Sequence, residues 1–177
     1  MAHLSMVELT PQERLQPALL DRLTDDEPGK KLEPRENRVI TKNKMRQAVL
    51  RDLAWLFNTT KFGSDIDFTG LPYAERSVIN FGLPALAGET ATTLDVLGLE
   101  SAIKQAIIDF EPRIIASTLR VEALVSDVQM DHHNVVSVQI SGNLWAQPIP
   151  LELLLRTEVD LETGQVEIRD LAKSGTR

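Results

Sequence analysis

The chain has 177 residues, a formal net charge of −7, 42% hydrophobic and 25% charged residues, and no cysteine. That size suits one domain with a real core, and without thiols there is no disulfide, thiolate metal site or cysteine nucleophile. The acidic balance speaks against nucleic acid as the main partner, and no apolar run nears the roughly 18 residues that direct membrane insertion needs.

Met1 to Leu9 shows no periodic pattern and lacks the basic start and apolar stretch of a secretory signal. With the absence of cysteine, this reads as a cytoplasmic protein. Thr10-Pro11-Gln12-Glu13 has the residues of a helix start. Pro17 removes a backbone donor, so the expectation is a short helix from Pro17 to Leu23 carrying Leu19, Leu20 and Leu23. Thr24 to Thr41 is polar and broken by Pro28, Gly29 and Pro34, the composition of a linker. A leucine segment set off in this way either packs back onto the domain or docks onto another protein.

Lys44 to Asn58 has helical periodicity, with Met45, Val49, Leu53 and Leu56 on one stripe. Asn43 is placed to cap it, and Trp55 and Phe57 read as core aromatics. Thr59 to Ala91 is rich in glycine and proline, a long irregular stretch of the kind that is often functional or held by a partner. Leu99 to Phe110 is a second helix, with Leu99, Ala102, Ile103, Ala106, Ile107 and Phe110 on one face. Gly98 is expected to separate it from a turn at Thr92 to Leu97, and Pro112 ends it.

After Pro112 the apolar period changes to two. The expected strands are Arg120–Val125, Val135–Ser141, Leu151–Asp160 and Gln165–Asp170, with a polar turn at Ser126 to Asn134 and a hairpin turn at Glu162-Thr163-Gly164. Leu154 breaks the alternation of the third strand and is expected either on its wetter face or under a cover. Helices followed by strands give an α+β fold: a small antiparallel sheet of about four strands, two main helices on one face, and a short N-terminal helix and linker in front. The expected organisation is a docking segment and linker at 1–41, the α+β domain at 42–172 and a tail at 173–177.

Charge is uneven along the chain. Eight basic residues lie between Lys30 and Arg51, opposed only by Glu33 and Glu36, whereas Arg120 to Asp170 holds nine acids and three bases. Two solvated faces account for this, and so do two complementary docking surfaces. Glu158, Asp160, Glu162, Glu167 and Asp170 crowd the last hairpin; they either blunt a sheet edge there or make the hairpin a polar docking edge, and the latter is the expectation.

Four segments in order resemble one family: Leu19-Leu20-Asp21-Arg22-Leu23, Arg51 to Thr59 (RDLAWLFNT), Ser77 to Pro84 (SVINFGLP) and Phe110-Glu111-Pro112-Arg113. Together they resemble the TssE family of type VI secretion baseplate subunits, within the wider group of phage baseplate wedge proteins once labelled lysozyme-like. The resemblance implies a structural, non-enzymatic role without a cofactor. It implies a subunit that joins the wedge complex with TssF, TssG and TssK and starts polymerisation of the TssB and TssC sheath. Its location would be the cytoplasmic face of an inner-membrane-docked baseplate. It also implies partner binding through Glu111, Pro112 and Arg113. The candidate docking residues at the N-terminus are Leu19, Leu20, Asp21, Arg22 and Leu23.

By itself, Glu111 at a helix C-terminus sits in a mildly unfavourable field and calls for a cationic partner in the chain or on a neighbour. If it grips a neighbour, Glu111→Arg is expected to abolish assembly and leave the chain folded. The alternative function is a peptidoglycan hydrolase, which needs two carboxyl groups about 5 to 9.5 Å apart with one kept protonated. No two of the 26 acids stand out for that role. Asp131-His132-His133 lacks further ligands at a recognisable metal spacing.

Overall fold

The computed structural model describes residues 18–24, 28–29, 41–63, 66–86, 95–124, 135–146 and 149–171. Most of the expected linker, the turn at 126–134 with its histidines, and the tail at 173–177 lie outside them.

Helix α1 (Leu19–Leu23) is five residues long, within the short helix expected there. Helix α2 (Lys42–Phe57) buries the expected stripe of Met45, Val49, Leu53 and Leu56, together with Ala48 and Phe57. Two details of it differ from the expectation. The cap is Thr41, not Asn43: Thr41 has the extended backbone of a capping residue, and its hydroxyl accepts the Lys44 N–H at 3.2 Å. Trp55 is not a core residue but is 52% exposed, because the stripe that fixes the helix rotation leaves its position outside.

A short helix α3 (Pro72–Glu75) and a 3-10 turn (Val78–Asn80) follow within the irregular stretch. Asn80, buried there, accepts the Gly63 N–H at 2.8 Å and donates to the Glu75 carbonyl at 3.0 Å. The strand-like contact of Thr60 with Leu83 closes the loop through two 2.8 Å bonds, Lys61 N–H to Leu83 and Leu83 N–H to Thr59. Gly82 permits it: its φ is +128°, and a Cβ there would collide with the Thr59 carbonyl.

Helix α4 (Val96–Phe110) runs unbroken through Gly98, contrary to the expected break. Gly98 lies in the first turn, where N–H groups lack helical partners, and the Asp95 carboxylate accepts its N–H at 3.0 Å. Leu99, Ile103, Ala106 and Ile107 are buried, and Phe110 meets Phe81 edge to face at 5.3 Å.

The sheet contains β1 (Arg120–Leu124), β2 (Val135–Leu144), β3 (Leu151–Asp160) and β4 (Val166–Asp170), antiparallel and in sequence order. Strand β2 is longer than expected because its end at Gly142 to Leu144 pairs with the start of β3. Registered rows share a face: Ala123, Val138, Thr157 and Ile168 form one, and Val121, Ile140, Leu155 and Asp170 the next. These rows meet α2 and α4, and the core of Val49, Leu53, Ile103, Ile107, Val138, Ile140 and Leu155 forms between them. Each such side chain stabilises by roughly 1.5–3 kcal/mol through burial. The opposite face carries Glu122, Gln139, Ser141, Arg156 and Glu158, and Leu154 is half-buried there.

Candidate functional site

The turn after α4 positions the Glu-Pro-Arg segment. Its Glu111 N–H closes the last helical turn on the Ile107 carbonyl at 2.8 Å. The Ile114 N–H then bonds the Glu111 carbonyl at 3.1 Å, and the Arg113 carbonyl accepts the Trp145 N–H at 2.7 Å. Arg113 is thereby fixed between the exit of α4 and the end of β2.

Side chains then form a charged ladder that crosses three parts of the chain. The Glu111 carboxylate, only 3% exposed, takes Arg113 at two points, Nε at 2.6 Å and Nη2 at 2.5 Å. Nη2 also donates to Asp52 on α2 at 2.5 Å. Asp52 accepts Arg51 Nε at 2.9 Å, and Arg51 Nη1 donates to Asp21 on α1 at 2.6 Å. Trp55 completes the outer rim, with its ring 5.1 Å from the Arg51 guanidinium carbon.

Burial opposes the charge on Arg113, but hydrogen bonding and charge from Glu111, then Asp52, outweigh it and raise its pKa well above the ordinary arginine value. Arg51 is likewise held above its ordinary value, first by Asp52 and then by Asp21. Both guanidiniums are permanent charges. Nη1 of Arg113 has no hydrogen bond among the described residues, so one arm of the fork remains for an outside acceptor.

Two sets of residues singled out in the sequence, Leu19–Leu23 and Glu111–Arg113, therefore share one surface. The bridge between them is Arg51 and Asp52. Their signal was available only as the first two residues of the RDLAWLFNT segment. In α1 the leucines face outward: Leu19 is 70% and Leu23 74% exposed, and Leu20 and Arg22 are also exposed. Only Asp21 turns inward, and its second carboxylate oxygen is buried without a hydrogen bond. Pro112 is exposed at the bend. With Glu111 buried against Arg113, Glu111→Arg would set two guanidiniums side by side, so the variant is expected to destabilise the fold as well as the assembly.

An open cavity of about 640 Å³ lies between Lys61 and Asn80, with Asp67 and Glu75 as the carboxylates among its described lining residues. Hydrogen bonds from the Thr69 hydroxyl and N–H hold Asp67 below its ordinary pKa, opposite to the shift a protonated glycosidase acid needs. Among the described residues no helix is long and apolar enough to cross a membrane, and no cluster of potential metal ligands occurs.

The family model described as "Baseplate wedge protein gp25" matches residues 43–149. The chain belongs to this family. No curated protein and no solved structure matches it. The gp25-family match includes α2 from its second residue, α4, the Glu-Pro-Arg turn, β1 and β2, and so four of the five ladder groups: Arg51, Asp52, Glu111 and Arg113. Helix α1 and strands β3 and β4 lie beyond it. Family membership gives the chain a structural role in a phage-tail-like baseplate, in contact with other baseplate components.

Proposed function

We propose that this gp25-family chain is the TssE-type wedge subunit of a type VI secretion baseplate, acting without catalysis in the cytoplasm at an inner-membrane-docked assembly. Residues 1–41 form its docking segment and linker, 42–172 its folded core and 173–177 its tail. The surface of α1 and the Glu-Pro-Arg turn joins the wedge subunits TssF, TssG and TssK. The sheet border receives the first layer of TssB and TssC and so starts the sheath.

The observation that carries this reading is the ladder from Asp21 to Glu111. It holds a five-residue helix by one acid while all three of its leucines stay outside the core. That arrangement adds little to the stability of the chain. It suits an apolar contact presented to another protein, with Pro112 and the open arm of Arg113 beside it. Glu111 serves the contact indirectly, by aiming Arg113.

Co-purification with cognate TssF and TssG tests it. The double change Leu19→Asp and Leu23→Asp alters exposed side chains alone, so the melting temperature should hold while capture of the wedge subunits falls at least tenfold. Undiminished capture would remove α1 from the interface. Failure of the wild-type chain to capture either subunit would remove the TssE reading.

A further inference from the structure

The five groups of the ladder alternate in sign along its length, from Asp21 through Arg51, Asp52 and Arg113 to Glu111. Among the described residues, Asp52 is the carboxylate that both guanidiniums share, and it gives one oxygen to each. Its Oδ1 accepts Arg51 Nε at 2.9 Å, and its Oδ2 accepts Arg113 Nη2 at 2.5 Å. The two cations therefore draw on one charge. A group that neutralises Arg51 from its far side leaves more of Asp52 to Arg113. Asp21 is that group, at 2.6 Å from Arg51 Nη1.

The two ends of the ladder are held unequally. At the inner end the buried Glu111 takes the Arg113 side chain at two points. At the outer end Asp21 meets Arg51 through a single bond. The other Asp21 oxygen is buried without a partner among the described residues, and Arg51 Nη2, although 2.9 Å from Asp52, makes no hydrogen bond. Two buried polar atoms left unmatched offset part of what the contact gains. Helix α1 buries none of its residues, so packing does not make up the difference. The outer joint is the one that opens first.

We propose that α1 is a latch on the Glu-Pro-Arg turn, and that its seating and the hold of Asp52 on Arg113 rise and fall together through the shared carboxylate. With Asp21 seated, Arg51 is neutralised from both sides and Asp52 keeps Arg113 Nη2 turned inward. With α1 released, Arg51 draws Asp52 to itself, and one proton of Arg113 Nη2 joins Nη1 in being open to an outside acceptor. Linkage makes the effect reciprocal. A carboxylate of a docking protein that takes Arg113 leaves Asp52 to Arg51 and weakens the seat of Asp21. Docking at the turn thereby frees α1, with its exposed leucines, to move to a neighbouring subunit. The coupling is a property of the chain alone and does not depend on the type VI reading above.

Proton exchange followed by NMR in the full isolated chain tests the coupling. Asp21→Asn keeps the size of the side chain and removes its charge. It should speed amide exchange at Arg22 to Thr24 several-fold and exchange of the Arg113 Nη protons at least threefold, while the core amides of Val138 and Ile140 keep their wild-type rates. Faster exchange at Arg22 to Thr24 with unchanged or slower exchange at Arg113 overturns the coupling. Unchanged exchange at Arg22 to Thr24 overturns the latch, since Asp21 is then not what seats the helix. Faster exchange at Val138 and Ile140 makes α1 part of the core and overturns it as well. From the other end, Arg113→Lys leaves a cation for Glu111 and gives up the fork that also reaches Asp52. Among the described residues no printed hydrogen bond or ion pair of Arg113 reaches α1. At a temperature where Val138 and Ile140 stay protected, exchange at Arg22 to Thr24 should still rise several-fold in this variant. An unchanged rate there overturns the reciprocal half of the proposal.

Discussion

At the scale of single residues, the charges of the site are of two kinds. Glu111 is a buried carboxylate whose oxygens accept three N–H bonds from Arg113, two from the side chain and one, at 3.2 Å, from the backbone. Removing one member of a buried ion pair costs about 3–5 kcal/mol when the other is left alone. Asp52 remains on Arg113, so Glu111→Ala should cost about 3 kcal/mol, the lower end of that range. Glu111→Arg should cost more, because it replaces attraction with repulsion in the same space. The denaturation midpoint of the isolated chain reads both, and an unchanged midpoint for either would show that the pair is not formed. Arg113 itself stays charged through any physiological pH change. Partner binding through its open arm should therefore weaken with salt and not with mild acid.

Secondary-structure elements meet here through short polar contacts that have their own pH behaviour. The turn between β3 and β4 depends on Asp160, which accepts the N–H groups of Glu162 and Thr163 at 2.8 and 3.2 Å. The Thr163 hydroxyl, then the Glu162 N–H, then the Thr163 N–H hold its pKa below the ordinary 3.8. A depressed acid stabilises the fold fully above its unfolded pKa and loses that contribution as pH falls through the lowered folded value. The hairpin turn should thus be intact from neutral pH down to about pH 4 and loosen only below it. Amide shifts of Glu162 and Thr163 followed against pH should show that acid step, and Asp160→Asn should flatten it. A step near neutral pH would contradict the assignment.

For the whole molecule, the contrast is between a core closed by α2, α4 and four strands and a lightly held α1. The core rows between helices and sheet do not involve Leu19 to Leu23. The one described side-chain tie from α1 to the core is Asp21 to Arg51, where the side chains are 16% and 34% exposed. Partly exposed pairs of this kind contribute about 1 kcal/mol or less. Asp21→Ala should leave the global unfolding transition within about 1 kcal/mol of wild type. Amide exchange at Arg22 to Thr24 should rise toward that of an unstructured chain, since local opening is governed by local contacts. A cooperative loss of the whole fold in this variant would make α1 part of the core.

The helices, the strands and their inward faces were legible in the residues because burial repeats with the geometry of each element. Met45, Val49, Leu53 and Leu56 repeat with a helical period, and Val136, Val138 and Ile140 repeat with a period of two. The hairpin turn and the short helix at Leu19 were legible for the same local reason. The Thr41 cap, the continuity through Gly98 and the outward face of Trp55 were not, since each depends on a backbone angle or a helix rotation set by packing. Nor could local patterns join Asp21 to Glu111 through Arg51, Asp52 and Arg113, or place Asn58 on the main chain of Val166 and Glu100 on that of Ala123. Such contacts link residues far apart in the chain, and only the mutual placement of α1, α2, α4 and the sheet brings their charges and main-chain groups within bonding distance.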